Sequence, residues 1–118
     1  MTAELILDAR NATGESPVWS TTEQALYWVD IPAKRLHRWS PADGKEHSWQ
    51  ASQMLACIAQ TGHGSWIAAM ENGLFAITPH ADGSLDSRLL ASVTHALPGM
   101  RFNDGRCDRQ GRFWAGTM

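Results

Sequence analysis

Basic clusters and long apolar runs are both missing from this sequence. Its formal net charge is −2, and its ten Lys and Arg residues are scattered along the chain. A surface without concentrated positive charge attracts nucleic acid and anionic membranes weakly, so neither is expected as a partner. Near the N-terminus the one short apolar run, residues 5–7, lies between Glu4 and Asp8. It fits neither a signal peptide nor a membrane span, and we expect a cytoplasmic protein.

Cysteine is scarce, with two in 118 residues. Cys57 and Cys107 both fall in strand-like runs, and no CxxC spacing indicates a metal or redox pair. Cytoplasmic proteins also contain few disulfides. We therefore expect both cysteines to be buried free thiols.

Histidine pairs of the metal-binding kind are lacking as well. No HxH or HxxxH pattern occurs, so the histidines alone define no metal site. We expect most of them at the surface, on turns and strand ends: His37, His47, His63, His80 and His95.

Helical patterns are nearly absent, and short strands take their place. Segment 91–97 is too short and too rich in β-branched residues for a helix, so it is predicted as a loop. Many short strands separated by turns indicate an all-β fold. The strands are predicted at residues 5–9, 17–19, 25–30, 35–39, 46–50, 55–60, 65–70, 73–77, 88–92, 105–108 and 112–117.

An internal repeat predicts how these strands are organised. Residues 25–29 match residues 64–68 at an offset of 39. The turn Asp43-Gly44 matches Asp82-Gly83 at the same offset. Repeats of about 40 residues with four strands each are typical of β-propeller blades, which need neighbours to cover their faces. We therefore predict a β-propeller. A β-sandwich is the alternative, but it predicts no such register.

The predicted propeller is a single domain over residues 1–118 that covers about two and a half blades. Its blade units are placed at about 12–50, 51–92 and an incomplete 101–118. Tryptophans recur about once per strand in the first unit, and we expect them to fill the layers between blades: Trp19, Trp28, Trp39 and Trp49.

Four motifs occur in order along the chain: Gly14-Glu15-Ser16-Pro17-Val18-Trp19, Leu26-Tyr27-Trp28-Val29-Asp30-Ile31, Arg101-Phe102-Asn103-Asp104-Gly105 and Gly111-Arg112-Phe113-Trp114-Ala115-Gly116-Thr117-Met118. Together they resemble the N-terminal portion of the SMP-30/gluconolactonase/regucalcin family. The resemblance covers essentially the whole chain. It implies a six-bladed propeller with a single divalent metal ion at the mouth of its central channel. It also implies that the full-length protein hydrolyses sugar lactones, as a lactonase of the carboxylic-ester hydrolase type.

The resemblance assigns roles to three residues. Glu15 is the expected metal ligand, since a carboxylate oxygen suits Ca²⁺, Mg²⁺, Mn²⁺ or Zn²⁺. Arg101 and Asn103 are the expected contacts of the sugar lactone, because a guanidinium fork and an amide can hold its oxygen atoms. The other metal ligands and the acid/base Asp are expected beyond Met118. We therefore expect this chain to be an incomplete, inactive portion of the enzyme.

The residues by themselves leave other roles open. Without the resemblance, Glu15 would be interpreted as a solvated turn residue. Arg101 could form a salt bridge between blades, and Asn103 could be a turn amide bonded to its own backbone. Asp104 precedes Gly105, which favours a hydrogen bond at a turn or strand end over a catalytic role. The alternative function is a non-catalytic propeller that binds a metal or a protein, because a fold alone does not decide activity.

Overall fold

Strands make up this structure, a computed structural model that describes residues 2–62 and 64–118. Those residues form ten strands and no helix, which confirms the all-β prediction. Accordingly, no helix in the described residues is long and apolar enough to cross a membrane. The strands are β1 (Gly14–Ser20), β2 (Ala25–Asp30), β3 (Arg35–Trp39), β4 (Glu46–Gln50), β5 (Cys57–Gly62), β6 (Ser65–Ala69), β7 (Gly73–Pro79), β8 (Leu85–Ser92), β9 (Phe102–Cys107) and β10 (Phe113–Thr117).

The strands form two four-stranded antiparallel sheets and one hairpin. Each strand pairs with the next in sequence, so that β1 to β4 make the first sheet and β5 to β8 the second. Strands β9 and β10 form the hairpin. Gly44 and Gly83, with φ of 65° and 92°, lie in corresponding turns of the two sheets, where the left-handed region favours glycine. The single domain and its unit boundaries stay a prediction.

The main core lies between the first two sheets. Alternate residues of a strand share a face, and Tyr27 and Val29 of β2 are buried there with Trp66 and Ile77. The ring centroids of Tyr27 and Trp66 are 4.3 Å apart. Full burial of a large apolar side chain contributes about 1.5–3 kcal/mol, so these contacts hold the two sheets together.

A smaller apolar cluster joins the second sheet to the hairpin. It contains Cys57 and Ala69 of the second sheet and Phe102 of β9. A Cβ atom at Gly105 would lie 2.9 Å from the Cys57 sulfur and 2.4 Å from the Trp114 carbonyl oxygen. Only glycine therefore lets β9 approach β5 so closely.

The two cysteines differ in exposure. Cys57 is buried, as predicted, whereas Cys107 is exposed, so that part of the prediction is wrong. Cys107 is the last residue of β9 and borders an open cleft instead of the apolar cluster. A strand-like pattern predicts a strand but does not predict what covers its end.

Two predictions about the outer face of the first sheet are also wrong. Residues 5–9 form no strand and pair with no strand edge. Ile6 and Leu7 instead lie against side chains of the first sheet, around a cavity of about 180 Å³. Trp19 is 43% exposed. It pairs with Leu26 on the face opposite the main core, which Trp28 and Trp39 share, so of the four tryptophans Trp49 alone fills the layer between the described sheets.

One histidine departs from the expected surface position. His37 is only 6% exposed. Its ring stacks on Trp28, with centroids 5.1 Å apart, because both side chains lie on the same face of the first sheet. His63 lies outside the described residues.

Candidate functional site

The first strands of the two sheets and of the hairpin border one cleft of about 630 Å³. Its walls are residues 14–19 of β1, 58–60 of β5 and 103–107 of β9. These strands are neighbours in space, although the first and last of these segments lie far apart in sequence. The cleft therefore brings the first and third sequence motifs together.

Glu15 borders this cleft as an exposed residue of β1. Its backbone pairs with Val29, and within the described residues its carboxylate makes no hydrogen bond or ion pair. The register shifts after Glu15, where Ser16 takes a left-handed φ of 55°. The Ser16 hydroxyl oxygen accepts a hydrogen bond of 3.0 Å from the Ile58 amide. This bulge ties the strand that carries Glu15 to the second sheet.

Asp30 holds the backbone just before Glu15. Its two carboxylate oxygens accept hydrogen bonds from the amides of Ala12, at 3.0 Å, and Thr13, at 3.1 Å. The side-chain amide of Asn11 donates a third, at 3.4 Å. Burial alone would raise the pKa of Asp30, but the hydrogen bonds from Thr13, Ala12 and Asn11 hold that pKa below its ordinary value of 3.8. The carboxylate is therefore stabilised in its charged form.

Asn103 and Asp104 form the opposite wall of the cleft. Asn103 is half-buried, and Asp104 is exposed. The Asp104 carboxylate accepts a hydrogen bond of 2.8 Å from the Gly105 amide, but this contact lies within β9 and not at the turn or strand end that the sequence favours. Burial, and after it the charge of Asp104, raises the pKa of the Cys57 thiol to about 12. Cys57 is therefore a protonated thiol near neutral pH.

Arg101 does not border the cleft itself. Its guanidinium donates to the Phe102 carbonyl, at 2.8 Å, and to the Asn103 side-chain oxygen, at 3.3 Å. No ion pair involves Arg101 within the described residues, so the salt bridge weighed from sequence is not formed there. The structure thus brings Glu15 and Asn103 into one cleft, with Arg101 behind Asn103. The roles of all three stay predictions.

The atoms around the cleft that could bind a metal ion are mainly oxygens: the carboxylates of Glu15 and Asp104 and the side-chain carbonyl of Asn103. Such atoms suit hard cations such as Ca²⁺, Mg²⁺ and Mn²⁺. In the part of the chain that the structure describes, no group of three or more His, Cys, Asp or Glu side chains could hold a metal. The residues present therefore fit a hard cation through the free carboxylate of Glu15, without completing its coordination.

Sequence reasoning assigned no role to two polar residues near the cleft. Asp30 lies within the second motif and ends β2, where an acidic residue after an apolar run could have signalled a buried contact. Gln60 borders the cleft, and its buried Nε2 atom has no hydrogen-bond partner within the described residues. No sequence pattern marks Gln60, because it resembles any polar residue near a strand end.

Sheets whose first strands surround a polar cleft define a β-propeller protein with its candidate site on the central side of the blades. The chain belongs to the SMP-30/Gluconolactonase/LRE-like family, whose sequence model matches residues 13–118. The resemblance carried by the four motifs is therefore confirmed.

Curated relatives of this chain include lactonases and regucalcins. It is 43% identical over 117 residues to a 6-deoxy-6-sulfogluconolactonase of Pseudomonas putida, covering 99% of this chain and 39% of the relative. It is 35% identical over 118 residues to a pentonolactonase of Haloferax volcanii, covering 100% and 38%. It is 34% identical over 115 residues to a regucalcin of Danio rerio, covering 98% and 38%. The chain thus spans well under half the length of these relatives.

Solved structures confirm the propeller fold. A regucalcin of Agrobacterium tumefaciens, described as a calcium-binding protein, superimposes with a TM-score of 0.85 at 28% identity, covering 96% of this chain and 37% of that one. A luciferin-regenerating enzyme superimposes with a TM-score of 0.84 at 25% identity, covering 92% and 36%. Both are propeller proteins.

Proposed function

We propose that the protein hydrolyses sugar lactones and that this activity depends on a divalent cation held by Glu15. The observation that carries the proposal is that Glu15, whose carboxylate is free, and Asn103 of β9 line the same cleft from opposite walls. The relatives support the substrate class, because two of them are named as lactonases of sugar-derived acids.

The proposal gives each site residue a chemical task. A cation bound by Glu15 would supply Lewis-acid polarisation of the lactone carbonyl. Asn103 can exchange hydrogen bonds with sugar hydroxyls through its side-chain amide. Arg101 already binds the Asn103 oxygen, which leaves the Asn103 amide nitrogen free to donate. Arg101 lies behind Asn103, so its other guanidinium N–H groups can donate to the oxygens of a lactone that extends past Asn103.

The proposed reaction consumes one water for each lactone. A water oxygen forms a bond to the carbonyl carbon, the bond from that carbon to the ring oxygen breaks, and the ring oxygen gains a proton. The product is a hydroxy acid, which releases a proton near neutral pH. Asp104 is the second carboxylate of the cleft, but its bond to the Gly105 amide gives no support for a proton-transfer role.

Two further parts of the proposal concern the setting. A small sugar lactone is the proposed partner, and the net charge of −2 gives no reason to add nucleic acid or a membrane. The cytoplasmic location stays a prediction.

Proton release from glucono-δ-lactone tests the proposed activity. With the protein as its gene encodes it, release above the spontaneous rate is expected in the presence of Mn²⁺, Ca²⁺, Zn²⁺ or Mg²⁺. EDTA should abolish that excess, and added metal should restore it. Metal binding without any turnover of gluconolactones or pentonolactones would instead support the non-catalytic propeller.

Glu15→Gln tests the metal assignment. Removing the anionic ligand should weaken Mn²⁺ binding at least about tenfold in calorimetry, with the melting temperature unchanged. The matched control is Glu4→Gln, which alters an exposed carboxylate outside the cleft. Unchanged Mn²⁺ affinity in Glu15→Gln would contradict the assignment.

Arg101→Lys tests the substrate assignment. A lysine keeps the charge but loses the planar fork, so kcat/KM should fall about tenfold or more while Mn²⁺ affinity is unchanged. If the variant melts much earlier and its folded fraction turns over normally, Arg101 serves stability instead of substrate binding.

A further inference from the structure

The position of Glu15 is controlled by its backbone. Its side chain is exposed and makes no hydrogen bond within the described residues. The backbone path of residues 11–16 sets the point from which this side chain extends. Whatever fixes that short segment therefore fixes the Cα and Cβ positions of the ligand and the directions its carboxylate can reach.

Asp30 fixes the first half of the segment. Its carboxylate bridges two consecutive amides, with Oδ2 accepting from Ala12 and Oδ1 from Thr13. The Thr13 carbonyl in turn accepts a bond of 3.2 Å from the Ile31 amide, and Gly14 pairs directly with Asp30 in the sheet. The chain therefore reaches Glu15 along a path set by both atoms of one carboxylate.

The Asp30 side chain has little freedom of its own. It is 4% exposed and ends β2. Asn11 closes the arrangement, because its amide nitrogen donates to Asp30 and its oxygen accepts a bond of 2.7 Å from the Trp28 indole. A strand pair needs no buried carboxylate to form, and burying a charge costs free energy unless its partners are well placed. Here those partners are the backbone groups that lead to Glu15.

We propose that Asp30 is a positioning residue for Glu15, acting through the backbone amides of Ala12 and Thr13. This role rests on the proposed function of Glu15 as a metal ligand. Asp30 does not touch the cation or the substrate in this proposal. It holds the ligand-bearing segment in one conformation, as outer hydrogen bonds do around metal ligands.

Asp30→Asn is the direct test. The amide keeps one oxygen acceptor, but its NH₂ group opposes one of the two backbone N–H donors. Outer contacts of metal ligands are typically worth about 10–100-fold in affinity, so the Mn²⁺ dissociation constant should rise by that range in calorimetry. Amide hydrogen exchange of Ala12 and Thr13, measured without metal, should become faster.

Asp108→Asn is the matched control. Asp108 also accepts two backbone amides, those of Gln110 and Arg112 at 2.9 Å each, but it does not border the cleft. The same chemical change there should leave Mn²⁺ affinity unchanged, even where the melting temperature falls. Both variants can lose stability, so stability alone does not distinguish a positioning role from a structural one. The Mn²⁺ affinities of Asp30→Asn and Asp108→Asn, compared at a temperature where both are folded, do distinguish them.

The outcomes separate this role from the proposed function. If Glu15→Gln loses Mn²⁺ affinity and Asp30→Asn keeps it, Asp30 is only structural and the positioning role is wrong. If Glu15→Gln keeps Mn²⁺ affinity, the ligand assignment and the positioning role both fail. Should Asp30→Asn not fold, Asn11→Ala removes one bond to the carboxylate and should still weaken Mn²⁺ binding a few-fold. No loss in folded Asn11→Ala would then overturn the proposal.

Discussion

The two walls of the cleft are held in different ways. On the β1 side, Asp30 binds residues 18 and 17 positions earlier in the chain, and Ser16 binds Ile58, 42 positions later. On the β9 side, Arg101 binds Phe102 and Asn103, one and two positions away. The β1 wall therefore depends on contacts that are distant in sequence, whereas the polar groups of the β9 wall are arranged locally.

This difference shows what each motif contains. The third motif includes its own supporting contacts, so its side chains can be arranged by the hairpin alone. The first motif does not, because Glu15 depends on Asp30 of the second motif and on the second sheet. The β9 wall also has long-range apolar contacts, because Phe102 packs against Cys57 and Ala69 and Gly105 closely approaches the Cys57 sulfur. Substitutions can test each of these dependences.

Gly105→Ala should produce the largest effect, on the β9 wall. The new Cβ would lie 2.4 Å from a backbone oxygen of Trp114 and 2.9 Å from the Cys57 sulfur, so the hairpin must shift away from the second sheet. Overpacking of this kind costs about 1–3 kcal/mol and occasionally more. We expect about 3 kcal/mol or more of lost unfolding free energy, measured by urea denaturation.

Gly116→Ala is the control for that prediction. Gly116 lies in the same hairpin, but its nearest atom to a new Cβ is the Asp104 carbonyl oxygen at 3.9 Å. The free energy of unfolding should change by less than about 1 kcal/mol. Equal losses in the two variants would show that a general glycine effect, and not the close approach at Gly105, determines stability.

Ser16→Ala should have the next largest effect, on the β1 wall. It removes the acceptor of the Ile58 amide, and Ile58 is 2% exposed, so that amide would be buried without its partner. Such a loss costs about 1–3 kcal/mol. Urea denaturation should show a loss in this range, smaller than that of Gly105→Ala.

Two other substitutions sharpen the Ser16 prediction. Ser84→Ala removes an exposed hydroxyl bonded to Asp82 and should change the unfolding free energy by less than about 0.5 kcal/mol. Ser16→Gly also loses the hydroxyl but accommodates the φ of 55° more easily, so it should lose less stability than Ser16→Ala. A Ser16→Ala variant as stable as Ser84→Ala would show that the second sheet does not depend on this bond.

Local patterns predicted most of the fold but little of how the site is supported. The bounds of β2, β3 and β4 agree with the predicted 25–30, 35–39 and 46–50, because alternation and turn residues are properties of neighbouring positions. The apolar pattern of residues 5–9 would be the same in a segment that pairs with a strand edge and in one that lies across the face of a sheet. It could therefore not predict that these residues are unpaired. Likewise, Asp30 stands within a recognised motif, but its partners appear only when the chain is folded.

The smallest predicted effect on the β1 wall is a pH dependence that arises from Asp30. In the folded protein the pKa of Asp30 lies below its ordinary value of 3.8, against the effect of burial, because Thr13, Ala12 and Asn11 donate hydrogen bonds to the charged form. The unfolded chain therefore binds this proton at a higher pH than the folded chain does. The contribution of Asp30 to stability is fully present above the ordinary pKa and is lost as pH falls through the lowered value.

Urea denaturation of the wild type and of Asp30→Asn, from neutral pH down to about pH 3 with EDTA present, measures this contribution. The asparagine cannot titrate, so the difference in unfolding free energy between the two proteins should be largest near neutral pH and should shrink as the solution becomes acidic. Asp108→Asn supplies the comparison from the β9–β10 hairpin, where hydrogen bonds led by that of the Trp114 indole lower the pKa of a partly exposed carboxyl to about 2. A difference between wild type and Asp30→Asn that stays constant with pH would mean that the charge on Asp30 does not hold the β1 wall.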